Sequence, residues 1–118
     1  MHIAIIGGSG FIGTRLTKRL LSSGHKIKIL DKQNSKYYSN LRVFADVRDI
    51  DSLKKELSSS LDCVINLAAE HRDDVEPKSL YDEVNVDGAE NVCNVCSELE
   101  IKKIIFTSSV AVYGFAPL

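Results

Sequence analysis

Apolar residues gather in five short runs along the chain: IAII (residues 3–6), IKIL (27–30), VFA (43–45), CVINLA (63–68) and IIFT (104–107). Each run is continuous rather than alternating, which is the pattern of strands covered on both faces. The stretches between them follow a helical period. Ile12, Leu16 and Leu20 share one helical face, Ile50, Leu53 and Leu57 a second, and Ala89, Val92, Cys93, Cys96 and Leu99 a third. Ser22-Ser23-Gly24 reads as the close of the first helix, where a left-handed residue favours glycine. Strand, helix and strand in repeated order predict an α/β fold, a parallel sheet with right-handed crossovers and helices on both faces.

Two polar stretches interrupt this order. DKQNSKYYSNL (31–41) has no clear period and reads as a loop with at most a short helical turn. EHRDDVEPKS (70–79) follows the fourth strand and contains Pro77, which is suited to the first turn of the long helix after it. Such loops leave the carboxyl ends of parallel strands, the end at which sheets of this kind hold ligands.

Size and charge narrow the picture. A chain of 118 residues with 44% hydrophobic content has room for one core, so a single domain over 1–118 is expected. Its 15 basic and 16 acidic side chains are interspersed, which leaves no electrostatic footprint for nucleic acid or an anionic membrane. No apolar stretch approaches a membrane span, and the amino terminus lacks an export pattern, so the chain reads as cytosolic. Cys63, Cys93 and Cys96 are an odd number, which argues against a disulfide framework. CNVC lacks two further ligands at zinc spacing, so no metal site is expected; Cys93 and Cys96, at i and i+3, read as small apolar residues of a helix.

The first run breaks into GGSGFIG, with four glycines between positions 7 and 13. After a buried strand, a turn without side chains lets the main chain approach a pyrophosphate, and the following helix offers unpaired amides and a positive dipole end. Two registers fit: Gly8, Gly10 and Gly13 match G-x-G-x-x-G, whereas Gly7, Gly10 and Gly13 match G-x-x-G-x-x-G. In both, Gly10 permits the close approach and Gly13 lets helix pack on strand. Alone, this run is also what a tight turn that binds nothing would show. Asp31, 18 residues beyond Gly13 at the end of the second strand, adds an acceptor for both adenosine ribose hydroxyls and would repel a 2′-phosphate. NAD is therefore favoured over NADP, although the neighbouring Lys32 is a cation able to accommodate a phosphate.

With these residues in hand, the chain closely resembles, over essentially its whole length, the extended short-chain dehydrogenase/reductases, in particular the NAD-dependent epimerase/dehydratase branch acting on nucleotide sugars. GGSGFIG is similar to that family's glycine motif in the Gly7, Gly10, Gly13 register, with Phe11 and Ile12 inside it. ADVRD resembles the segment in which an Asp and the next apolar residue embrace the adenine, here Asp46 and Val47. NLAA, with Leu67, Ala68 and Ala69 after Asn66, resembles the segment beside the nicotinamide ribose, and Asn85 in NVDG matches an asparagine beneath the active site. FTSSVAVYG resembles the fifth-strand motif and puts Ser109 where the family has its catalytic Ser or Thr. The resemblance implies a Rossmann-type sheet of strand order 3-2-1-4-5, a nucleotide-sugar substrate for the parent protein, and hydride transfer between NAD and a sugar hydroxyl.

Each of these residues also has a plainer reading: Asp46 as a helix cap near Asp49, Asn66 as a buried polar group bonded to main chain, Ser108 or Ser109 as a polar strand end. One family element is missing. The base is a Tyr with Lys four positions later, and no Tyr here has that partner: position 117, four after Tyr113, is Pro, and Tyr37, Tyr38 and Tyr81 also lack one. The resemblance therefore implies the amino-terminal, cofactor-holding part of such an enzyme, truncated and without turnover of its own. Glu70, His71 and the DDVE run read as solvated loop positions, and His2 and His25, at strand beginnings, receive no role. A sensor of nucleotide redox state without catalysis, and an NADPH-dependent reductase of the same fold, are the competing readings. Truncation would also leave the fifth strand with an open edge and uncover apolar helix faces, so the isolated piece is expected to be marginally stable or to associate through that edge.

Overall fold

A computed structural model describes residues 1–69 and 83–107. Its five strands are β1 (His2–Ile6), β2 (Lys26–Leu30), β3 (Arg42–Val43), β4 (Cys63–Asn66) and β5 (Ile104–Phe106). They form one sheet in the order β3-β2-β1-β4-β5 with every pairing parallel, as the resemblance implies. The helices are α1 (Phe11–Ser22), α2 (Ile50–Glu56) and α3 (Gly88–Glu98), the last preceded by a π-helical turn at Glu83–Asp87.

The continuous apolar runs are explained by what covers each face. Ile3 and Ile5 of β1 join Ile27, Ile29, Cys63 and Ile65 in a layer against which Leu16 and Leu20 of α1 pack. Ala4 and Ile6 point the other way, with Leu30 and Val64, into a second layer that includes Leu53 of α2 and Val92, Val95 and Cys96 of α3. Successive strand residues face opposite sides, so a strand covered on both must be apolar throughout. The central strands are accordingly almost sealed from solvent, Ala4, Ile5, Ile29, Leu30 and Val64 completely so.

Three expectations are corrected. The third strand is Arg42–Val43 rather than 43–45, because β2 offers partners only at Ile29 and Leu30; Phe44 turns outward, 60% exposed. Ile12 leaves the α1 core face: Gly13 and Thr17 are the buried positions of that helix, and Ile12 is 62% exposed at its open first turn. On α3 the buried stripe runs through Val92, Val95 and Cys96, which leaves Cys93 exposed, while burial pushes the Cys96 thiol up to about 11. The first helix ends as expected, with Ser23 at its cap and Gly24 at φ +87°. Residues 31–41 form a loop, tied by the buried Ser35, whose Oγ accepts from the Tyr38 amide at 3.1 Å.

Candidate functional site

At the carboxyl ends of β1, β2 and β4 the sheet opens into a cleft of about 860 Å³. Its floor is the turn after β1. Gly7 takes φ +76° and donates its amide to the Leu30 carbonyl at 2.8 Å; a Cβ there would also lie 2.8 Å from the Ala68 nitrogen. Both the backbone conformation and the space exclude a side chain. Gly13 is held by contact alone, since a Cβ would come within 2.5 Å of three main-chain atoms of Gly8, so the first turn of α1 rests directly on the strand exit. Gly10 is different: the nearest atom to a Cβ would be 3.9 Å away, and this residue opens on the cleft. Gly10 is also the N-cap of α1, with no side-chain cap and no acidic residue in the first turn. The amides of that turn are thus left for a ligand, at the positive end of the helix dipole. Of the two registers, the cleft is lined by Gly7, Gly10 and Gly13; Gly8 packs its Cα side against Ile5 and Ile29.

One wall is built at the end of β2. Asp31 accepts from the Ser9 amide through Oδ2 and from the Gln33 amide through Oδ1, both at 3.0 Å, so the carboxylate is fastened to the glycine turn on one side and to its own loop on the other. The turn carrying it is clamped from β3. Arg42 donates from Nε to the Asp31 carbonyl at 3.1 Å and from Nη2 to the Lys32 carbonyl at 2.6 Å. Lys32 and Gln33 also line the cleft.

The neighbouring wall is the loop after β3. Val47 is buried, its carbonyl accepts from Asn91 Nδ2 of α3 at 2.9 Å, and its side chain fills the space a Cβ at Gly88 would need, 2.6 Å from Val47 Cγ2. Asp46 does not cap α2; Asp49 does, accepting from the Asp51 amide. Instead the Asp46 carboxylate receives the Arg48 amide and its guanidinium in a forked pair, with Nη2 at 2.9 Å from Oδ2. Burial acts to raise this carboxyl, but the Arg48 hydrogen bonds and charge outweigh it and hold Asp46 below the usual carboxylate range.

Leu67, Ala68 and Ala69 form the side toward β4; there the Asn66 side chain accepts from the Ala68 amide at 3.0 Å, the main-chain bonding that is its plainer reading. Of the thirteen residues singled out for the cofactor, twelve line this cleft: Gly7, Gly10, Phe11, Ile12, Gly13, Asp31, Lys32, Asp46, Val47, Leu67, Ala68 and Ala69. Asn85, exposed on the π-helical turn, is not among the lining residues. Ser108, Ser109, Glu70, His71, the DDVE run, Pro77, Tyr81 and Tyr113 lie outside the described residues. Sequence reasoning did not single out Gln33, Val84 and Thr107, which also line the cleft, nor the supporting Arg42, Arg48 and Asn91. Thr107 was within reach, since it immediately precedes the serines of FTSS.

Among the described residues no helix is long and apolar enough to cross a membrane. A model of the NAD dependent epimerase/dehydratase family matches residues 3–117. The chain is 50% identical over 113 residues to the N-acetyl-alpha-D-glucosaminyl-diphospho-ditrans,octacis-undecaprenol 4-epimerase of Escherichia coli O157:H7, a match covering 96% of this chain and 34% of that protein. Among solved structures it is similar to the UDP-glucose 4-epimerase of Brucella ovis in complex with NAD, with a TM-score of 0.88 and 26% identity, covering 99% of this chain and 38% of the other. The UDP-glucose 4-epimerase of Thermus thermophilus, likewise in complex with NAD, gives a TM-score of 0.84 and 28% identity, with 99% and 40% covered. The chain thus spans little more than a third of the length of these relatives.

Proposed function

The chain belongs to the NAD dependent epimerase/dehydratase family, and from that premise we propose that it is the NAD-binding domain of an enzyme that epimerises a sugar carried on a diphosphate. The observation that carries this reading is the cleft itself, whose floor is bare main chain and open helix amides while one wall presents a carboxylate fixed in place. The residues fit the dinucleotide: the cleft's volume is within the range of small-molecule sites, and its polar groups are few and convergent. Gly10, Phe11, Ile12 and Gly13 would hold the pyrophosphate, Asp31 the adenosine ribose, Asp46 and Val47 the adenine, and Leu67 to Ala69 the nicotinamide end. When bound, NAD supplies a reversible acceptor for hydride from a sugar carbon. This chain's part is to orient that acceptor, with Ser109 assigned to hydrogen-bond the substrate oxygen, and by itself it is expected to bind without turnover.

Asp31 supports NAD over NADP and so speaks against the reductase reading. Isothermal titration of the folded chain with NAD and NADP tests this: binding of NAD, tighter than NADP, is expected, and no heat from either overturns it. A more specific reading of the substrate is favoured by the 50% identity to an epimerase whose named substrate is linked to undecaprenol. The sugar diphosphate would then be carried on a polyprenol rather than on a nucleoside. Incubating the full-length parent with UDP-N-acetylglucosamine and, separately, with its polyprenyl diphosphate counterpart distinguishes the two. Epimer from the nucleotide sugar alone would defeat the polyprenol reading.

A further inference from the structure

We propose that Arg48 is a positioning residue for adenine recognition, presenting the Asp46 carboxylate in one fixed orientation and tying it to Glu83 at the approach to α3. The inference rests on the reading that the adenine lies against Asp46 and Val47.

The geometry is more specific than a surface ion pair. A carboxylate has about four acceptor positions. Oδ1 of Asp46 takes the Arg48 amide at 3.0 Å and Nε at 3.1 Å, while Oδ2 takes Nη2 at 2.9 Å and a longer share of Nε at 3.3 Å. Nε has one hydrogen, directed mainly at Oδ1, so Oδ2 keeps acceptor capacity for an outside donor, and the exocyclic amine of adenine is such a donor. The remaining nitrogen of the fork, Nη1, lies 3.6 Å from Glu83 Oε2. The Asp46 side chain is only 16% exposed, so its charge needs this partner more than a solvated carboxylate would. The same loop is fastened to α3 itself at two points, by Asn91 on the Val47 carbonyl and by the fit of Val47 over Gly88. Asp46 thus sits in a loop whose shape is set from the far side of the cleft wall.

The charged groups around Asp46 are Arg48 on its own loop, Lys32 from the end of β2, and Glu83 beyond Arg48. Without the Arg48 side chain, burial would raise the carboxyl against only the main-chain amide of residue 48 and the Lys32 charge, with Glu83 losing its arginine partner nearby. A protonated Asp46 is a poorer acceptor, so binding would weaken as the pH falls.

The test uses the chain itself, with Arg48→Met and Arg48→Lys, titrated with NAD and with nicotinamide hypoxanthine dinucleotide, in which an oxo group replaces the 6-amine. The parent chain is expected to prefer NAD by roughly tenfold, with affinity flat between about pH 7.5 and 5. Arg48→Met should lose most of that preference, and its affinity should begin to fall on acidification at a higher pH than that of the parent chain. Arg48→Lys keeps the charge without the fork, so it should lose the preference yet keep the flat profile, and it carries the test if the methionine variant does not fold. A preference that survives undiminished in a folded variant overturns the role of Arg48 alone. Equal binding of both dinucleotides by the parent chain overturns the adenine placement, and the proposal with it.

Discussion

The two ends of the cleft are made in opposite ways. The proposed phosphate end consists of what is missing: side chains at Gly7 and Gly13 have no space, the cap of α1 is bare, and main chain is what faces the cleft. The proposed adenosine end consists of side chains held by other groups, with Asp31 fastened by two amides, its turn clamped by Arg42, and Asp46 forked by Arg48. A site of the first kind is rigid because fold and function use the same contacts. In a site of the second kind the fold can survive while recognition is lost, because each carboxylate is set by a few replaceable bonds.

The sharpest test of this contrast is Gly13→Ala. In an ordinary helix interior that exchange gains about 1 kcal/mol. Here the new Cβ would stand 2.5 Å from the main chain of Gly8, which cannot step aside as a flexible side chain would. A net destabilisation of about 2 kcal/mol is expected, with NAD binding lost alongside, read by urea unfolding and titration of the same samples. Gly10→Ala is its counterpart: the methyl meets nothing closer than 3.9 Å, so the unfolding midpoint should hold while NAD affinity drops. If both variants lost stability alike, the distinction between the packed Gly13 and the open Gly10 would fail.

At the adenosine end, Asp31→Ala removes the acceptor of the Ser9 and Gln33 amides as well as the proposed ribose partner. Affinity for NAD should fall by about 1 to 3 kcal/mol, a factor of roughly 5 to 150. Affinity for NADP should fall less, since the group that repels its phosphate has gone. Equal losses for both cofactors would mean that Asp31 only shapes the loop.

The same contrast governs how much could be seen in the sequence. The parallel sheet was legible because strands covered on both faces must be apolar throughout, its strand order only through the family resemblance, and the floor because glycine marks a place where Cβ has no room. Asp31 was legible through its distance from the glycine run. Arg42 and Asn91 were not: they act on carbonyls 11 and 44 positions away, and no local pattern marks an arginine or asparagine as a clamp for main chain. Arg48 is visible in ADVRD but reads as a solvated charge until the fork on Asp46 is seen. Ile12 misled for a related reason: helical periodicity identifies a face, yet the first turn of α1 belongs to the cleft rather than the core.

Asn91→Ala probes a support further from the ligand. It leaves the carbonyl of the buried Val47 without its donor from α3, which should lower stability by about 1 kcal/mol. NAD affinity should fall only a few-fold, because Asp46 keeps Arg48. A loss as large as that of Asp31→Ala would show the two walls to be more tightly joined than the separate bonds suggest.

The smallest effect is expected at the opposite end of the sheet. His2 begins β1, where burial first and then the neighbouring Lys26 lower its pKa from the ordinary 6.5. A proton therefore binds more readily to the unfolded chain than to the folded one, so the stability contributed by neutral His2 is present above about pH 6.5 and is lost as the pH falls through the lower folded value. Urea midpoints of the parent chain should decline slightly as the solution is acidified from neutrality, and His2→Gln should flatten that decline without changing NAD affinity at either extreme. An altered affinity would mean that this end communicates with the cleft through β1, whose carboxyl end leads directly into the glycine turn.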